Sequence, residues 1–261
     1  MNPKEKEMLV KELYEKYPYP SREVISKQGS IKLSRWASSI IGKGSDFWQG
    51  KRVLELGCGT GELTNGITLA GANVSAIDFS SSSIKRAKEL SKELGVSGKI
   101  NFIEKNILEI KKNEFKEKFD VVIALGSLHH TINARKAFSI GCSNLKPEGI
   151  IFLGLYNKYS RFRHRVRRSI LRVFCGNDIE KRIEFGRKLF GGKESKAWAA
   201  DKYGQVHESY HSISQILNWF NEEGIEFIAS RPKYTIPRID EIKWFFEKKG
   251  AFFVMVGKKS K

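Results

Sequence analysis

The apolar positions of this chain keep a helical period up to about residue 47 and then change character. Residues 4–16 (KEKEMLVKELYEK) place Met8, Leu9 and Leu13 on one helical face, and the prolines of YPYP, 17–20, then hold the backbone extended. A second helix follows, with Ser30 as its cap, a stripe of Leu33, Trp36, Ala37, Ile40 and Ile41, and Gly42 to Gly44 as its end. From Lys51 onward, short apolar runs alternate with amphipathic stretches. RVLEL (52–56), NVSAID (73–78), KINFIE (99–104), FDVVIAL (119–125) and GIIFLGLY (149–156) read as strands, separated by helices or loops. The alternation stops for some 55 residues and resumes with SISQILNWFNEEG (212–224), where Ser212 and Gln215 have capping-box spacing and Gly224 terminates. IEFIAS, a helix around 240–249, and AFFVMVG (251–257) complete the pattern.

Such alternation predicts an α/β fold: a Rossmann-like, seven-stranded, mostly parallel sheet with helices on both faces. It divides the chain into an N-terminal helical cap (1–47), a core (48–157 and 212–261) and a helical insertion at 158–211. With 261 residues and 40% hydrophobic content, a full core is within reach. No apolar run reaches the roughly 18 residues needed to span a bilayer, and the charged start MNPKEKEMLV is no signal peptide, so the expected location is cytoplasmic. Cys58, Cys142 and Cys175 are too widely spaced for a zinc ribbon and read as reduced thiols.

Candidate chemistry begins at ELGCGTG, 55–61, which ends the first strand and opens the first helix, where backbone N–H groups can approach a ligand. Glu55 precedes the turn, Asp78 ends the second strand and Asn106 follows the third. A carboxylate after the second strand suits a ribose diol, because it can accept both hydroxyl hydrogens. The glycines run Gly57, Gly59, Gly61, and Glu62 occupies the place of the third glycine in the dinucleotide fingerprint, where its charge would repel a pyrophosphate.

In this combination the sequence resembles the class I S-adenosylmethionine-dependent methyltransferases. Their acidic glycine-rich loop, acid after strand two, polar residue after strand three and strand-four segment match ELGCGTG, Asp78, Asn106 and FDVVIALGSLHHT. The likeness covers about residues 50–157 and 212–258. It implies that Glu55 and the glycine loop face the methionine moiety, Asp78 holds the ribose, Phe79 packs on adenine and Asn106, more often Asp in the family, reads the adenine edge. Ile107 and Leu125 complete the implied cofactor set. Some poorly characterised members share the YPYP opening, a GLYNKY-like fifth strand and a stretch like DKYGQVHESYH.

Methyl transfer from a sulfonium is an in-line displacement, so the enzyme has mainly to align a nucleophile and exclude water. His129 and His130, in GSLHHT after the fourth strand, are placed to orient or deprotonate an acceptor. HESYH, 207–211, fits the zinc-hydrolase pattern H-E-x-x-H, which needs both histidines on one helix. The cap at Ser212 starts the helix only after His211, so no metal is expected, and His207, Glu208, His211 and Tyr156 become acceptor-pocket candidates.

The formal net charge of +18 is concentrated: residues 158–193 carry 12 Lys or Arg against Asp178, Glu180 and Glu184, a net of +9. At about 100° per residue, Phe162, Val166, Ile170, Val173 and Phe174 share one helical face, and Arg161, Arg165, Arg168 and Arg172 line another. This basic amphipathic helix suggests an acceptor lid over a small-molecule or lipid-like acceptor, with the arginines meeting RNA or an anionic membrane surface as competing readings. With no aromatic residues among the arginines to stack bases, the small-molecule or lipid-like acceptor is favoured over an RNA methyltransferase. An inactive, nucleic-acid-binding relative is the alternative of a different class, and the intact Glu55, Asp78 and glycines argue against it.

Overall fold

The computed structural model describes residues 2–20, 26–111, 113–191 and 195–261. The chain opens with α1 (Pro3–Lys16), started by a reciprocal capping box between Asn2 and Glu5 with Pro3 in the first turn. Val10 and Leu13 are its buried residues, whereas Met8 is 62% exposed and does not join the expected apolar face. α2 (Lys27–Ser39) is capped by Ser26, not Ser30. Ser30 lies one turn further on, fully buried, because α2 packs tightly on α3 (Glu62–Leu69): a Cβ on Gly66 would sit 2.0 Å from the Ser30 carbonyl oxygen.

The sheet has seven strands in the order β3-β2-β1-β4-β5-β7-β6. They are β1 (Arg52–Leu56), β2 (Asn73–Asp78), β3 (Ile100–Glu104), β4 (Phe119–Leu125), β5 (Leu145–Tyr156), β6 (Ile225–Arg231) and β7 (Phe252–Lys259). β5 starts four residues before the apolar run that announced it. β1 to β5 pair in parallel and only β7 runs antiparallel to its neighbours. α4 (Ser81–Glu93) and α5 (Ala134–Ser143) cover the sheet, as does α9 (Ile213–Glu222), which Ser212 caps as expected. The last helix, α10 (Pro237–Phe246), starts earlier than its apolar pattern suggests because Pro237 suits the first helical turn.

One core cluster packs Phe138, Phe220 and Trp244, and the other packs Trp48, Ile67 and Phe152. A third, smaller cluster is made by the segment between β5 and α9. There α6 (Phe162–Cys175), α7 (Ile179–Phe190) and α8 (Lys196–Ala199), followed by a π-helical turn at Ala200–Gly204, gather Leu171, Ile183, Ala199, Ala200 and Tyr203 around Leu13 of α1. The inserted helices and the N-terminal helix therefore pack on each other, and Tyr17 and Lys16 each reach Glu180 at 2.6 Å. Residues of both line a cavity at the carboxyl ends of the parallel strands.

α6 buries Arg168 beside Leu171 and leaves the apolar stripe read from its sequence largely outside. Arg168 is 6% exposed and Arg161 is half-buried, while Phe162, Val173 and Phe174 are 53%, 80% and 75% exposed. The physical reason is the partner waiting inside: the buried Glu208 carboxylate, which draws the guanidinium face inward.

Candidate active site

A cavity of about 670 Å³ opens where β1, β2, β3 and β4 end. Its floor is the glycine loop. Gly57, Gly59 and Gly61 all have positive φ, which glycine alone adopts freely. Space is as restrictive as conformation: a Cβ on Gly57 would lie 2.2 Å from that of Ser127, and one on Gly59 would lie 2.3 Å from the Tyr19 carbonyl oxygen. That carbonyl also accepts the Thr60 N–H at 3.1 Å, so the YPYP stretch straps the loop.

Three carboxylates meet the loop end. Asp78 accepts the Gly59 N–H at 2.8 Å and the Ser80 N–H at 3.0 Å, and burial raises its pKa in spite of these bonds. Glu55 is buried and pushed up to about 8, moderated by the Thr64 hydroxyl at 2.5 Å. Glu62 lines the same wall. A carboxyl held this high is one that a positive charge in the cavity would help to ionise. Phe79, Asn106, Ile107 and Leu125 complete the wall, so every residue of the implied cofactor set except Gly61 lines the cavity.

At the other end, polar groups converge on Asp201. Its carboxylate accepts from the Tyr14 hydroxyl at 2.9 Å and the Tyr156 hydroxyl at 3.3 Å, and lies 3.6 Å from His130 Nε2. Burial, then the nearby Asp201, raises the pKa of both tyrosines well above the ordinary range, so both stay protonated donors. The Nδ1 of His130 lies 3.2 Å from the His207 carbonyl oxygen. A carbonyl can only accept, so Nδ1 donates to it, and Nε2 is the nitrogen turned toward Asp201. Arg161 stacks over Tyr156, 3.3 Å from the ring centroid, and Tyr19, Trp36, Trp198 and Phe252 make the surrounding wall largely aromatic.

Four of the six candidate catalytic residues do not line this cavity. His129 packs behind it, its ring 3.8 Å from that of Tyr156, and burial keeps it neutral. HESYH lies outside any helix, with an isolated bridge between Asn157 and His211, so its two histidines share no helical face. His211 bonds Ser209 and Gln215, and the His207 carbonyl oxygen faces His130 Nδ1. Glu208 is occupied by Arg168, by Arg161 at 3.3 Å and by the Tyr210 hydroxyl at 2.6 Å. Burial alone would raise its pKa, but the two guanidiniums outweigh that and hold it at about 2. Its carboxylate is held in a buried ion-pair cluster. Arg172 reaches the Val206 carbonyl and Arg165 lies over the Tyr210 ring, so the arginine stripe braces this loop.

Asp201 and Tyr14 are the residues the sequence did not mark. Tyr14 sits beside Leu13 on a helix far from the core motifs, and Asp201 is a lone acid in a basic arm. The only signal was local: Asp201 opens the DKYGQVHESYH stretch.

An open parallel sheet with a glycine loop, an acid after β2 and a single cavity at their junction among the described residues defines a nucleoside-cofactor enzyme of the α/β type. A methyltransferase-domain family model matches residues 48–222, and the chain belongs to that family. It is 23% identical over 248 residues to an uncharacterised protein of Synechococcus sp. (strain ATCC 27144 / PCC 6301 / SAUG 1402/1), covering 84% of this chain and 59% of that protein. It is 33% identical over 109 residues to the ubiquinone biosynthesis O-methyltransferase of Shewanella sp. (strain ANA-3), covering 42% of this chain and 45% of the relative. The matches thus span about half the length of these curated relatives. The fold resembles that of magnesium protoporphyrin IX methyltransferase from Synechocystis PCC 6803 with bound SAH, at a TM-score of 0.61 and 16% identity, over 98% of this chain and 100% of that one.

Proposed function

We propose that this methyltransferase uses S-adenosylmethionine to methylate an oxygen nucleophile on a small, largely apolar acceptor. The donor set fits the cofactor: Asp78 suits the ribose diol, Phe79 and Ile107 the adenine faces, and Glu55 and Glu62 a cationic sulfonium and ammonium. When bound, the cofactor supplies an electrophilic methyl group whose bonding pair leaves with sulfur. What carries the proposal is the placement of His130 Nε2, next to the cavity and beside Asp201. It accepts the proton of an acceptor hydroxyl as the oxygen–carbon bond forms, and the Asp201 carboxylate offsets the imidazolium charge. Tyr14 and Tyr156 hold that carboxylate in place, and α1 and α8 exclude water.

Cell extract split into small-molecule, lipid, RNA and protein fractions, then incubated with the enzyme and methyl-labelled cofactor, tests this reading. Label is expected in a phenolic or enolic compound of the small-molecule or lipid fraction. His130→Ala and Asp201→Asn are each expected to cut that labelling by about 10²-fold or more while the cofactor still binds. Label confined to RNA or protein, or undiminished in both variants, overturns the proposal.

The outward face of α6 supports a lipid-like acceptor. Phe162, Val166, Ile170, Val173 and Phe174 are all exposed there, and Phe162 meets Phe245 of α10, whose Ile239, Ile242 and Phe246 are exposed too. Arg163, Arg165 and Arg167 lie among them, a basic apolar surface suited to an anionic bilayer. No helix among the described residues is long and apolar enough to cross a membrane. Wild-type protein is expected to float with vesicles containing phosphatidylglycerol, and Val173→Asp/Phe174→Asp to stay behind. Equal behaviour of the two would remove this support. RNA lacks the comparable footing, since Arg161 and Arg168 are spent on Glu208.

A further inference from the structure

The end of the cavity lined by Asp78, Phe79, Asn106 and Ile107 also receives Glu7, from α1. Asn106 has one possible orientation there. Its Oδ1 accepts the Leu108 N–H at 3.0 Å, and a backbone N–H can only donate, so the amide oxygen faces Leu108 and the amide NH2 is turned away from it. That NH2 donates to Oε1 of Glu7.

The 6-amino group of adenine is a hydrogen-bond donor as well. Against Asn106 alone, two NH2 groups would confront each other and neither would find an acceptor. A carboxylate has about four lone-pair sites on its two oxygens, so it can accept from Asn106 and from adenine together. The neighbouring helix is held in register for this. Glu15, two turns further along α1, accepts the N–H groups of Ser81 and Ser82 at 2.6 and 3.0 Å at the start of α4, and Val10 of the same helix is buried against the cavity.

We infer that Glu7 is the acceptor for the exocyclic amine of the cofactor's adenine, so that base selectivity is carried by the N-terminal helix. The inference rests on S-adenosylmethionine being the cofactor. It also gives Asn106 a role its side chain can fill: a fixed donor that orients Glu7.

Titration calorimetry on the full chain, with S-adenosylhomocysteine and its inosine counterpart as probes, tests the assignment. Wild type is expected to prefer the adenine form, because the inosine base presents an oxygen where Glu7 needs a donor. Glu7→Gln is expected to weaken S-adenosylhomocysteine about tenfold or more and to narrow the gap to the inosine form, since the amide replaces one accepting oxygen by an NH2 that confronts another donor and loses the carboxylate's charge. Asn106→Asp alone brings two carboxylates together and is expected to weaken binding too. Combining Glu7→Gln with Asn106→Asp exchanges donor and acceptor within the pair and is expected to recover most of the affinity. A merely structural contact would give no adenine-specific loss and no recovery. If Glu7→Gln binds like wild type, or the double variant binds no better than either single one, the assignment is wrong. If wild type binds neither probe, the cofactor reading fails and takes this one with it.

Discussion

Asp78→Ala is expected to reduce the affinity for S-adenosylhomocysteine by about a hundredfold or more and to erase the ligand's stabilisation of the protein. Two hydrogen bonds from ribose hydroxyls to a carboxylate, at about 1.5–3 kcal/mol each for a charged partner, account for a loss of that size. The side chain also accepts the Gly59 N–H at 2.8 Å, so its removal frees the glycine loop as well. Ligand at a hundred times its wild-type Kd stabilises the native state by about 2.7 kcal/mol, and a hundredfold weaker site retains only about 0.4 kcal/mol of this. A thermal melt with and without ligand reads the difference directly. Asp78→Asn keeps an oxygen for the loop but gives up the second acceptor, and should fall between. A mutant stabilised as strongly as wild type would sink the placement of the cofactor.

Glu208→Gln should produce the largest loss of stability. The Glu208 side chain is fully buried, and Arg161 and Arg168 beside it retain 11% and 7% exposure, so neutralising the carboxylate leaves two shielded guanidiniums without a counter-charge. Breaking such a cluster costs about 3–5 kcal/mol. Proton linkage leads to a similar size. A carboxyl held at about 2 in the native protein is depressed from its ordinary value near 4.5, so its contribution is fully present above that value and is lost as pH falls through 4.5 toward 2. The shift corresponds to roughly 3 kcal/mol. Urea unfolding of wild type at pH 7 and pH 3.5, beside the mutant at both, decides the matter. The gap between the two proteins should shrink at the lower pH, and a gap independent of pH would mean that the cluster does not titrate with folding.

Much of the fold was legible along the chain because it depends on local period. Five apolar runs separated by helices predict parallel strands wherever they lie in space, and β1 to β5 and α9 follow that pattern. The cofactor end was legible for a related reason. Glu55, the glycines, Asp78 and Asn106 each sit at the carboxyl end of a strand, so a parallel sheet brings them to one edge without further instruction. At Ser30 packing overrides local chemistry. Its chemistry suits a helix cap, yet close packing of α2 on Gly66 of α3 gave that place to Ser26.

The sequence by itself determined an α/β methyltransferase core and the gathering of Glu55, the glycines, Asp78 and Asn106 at one edge of it, because residue spacing and strand order are enough to place both. It did not determine what the inserted helix faces. A helical wheel reports which residues share a side of α6, and burial of the apolar side is the usual outcome. Here Glu208, 40 positions after Arg168, offers Arg161 and Arg168 a buried counter-charge, so these two guanidiniums turn inward while Phe162 and Phe174 face outward. The polar cluster around Asp201 was hidden for the same reason: Tyr14, His130, Tyr156 and Asp201 come from four separate elements and come together only in the folded chain. Glu7 reaches Asn106 across 99 residues of sequence. Contacts of that separation leave no period in a chain, since each partner's local surroundings are satisfied without the other, and tertiary packing alone brings them together.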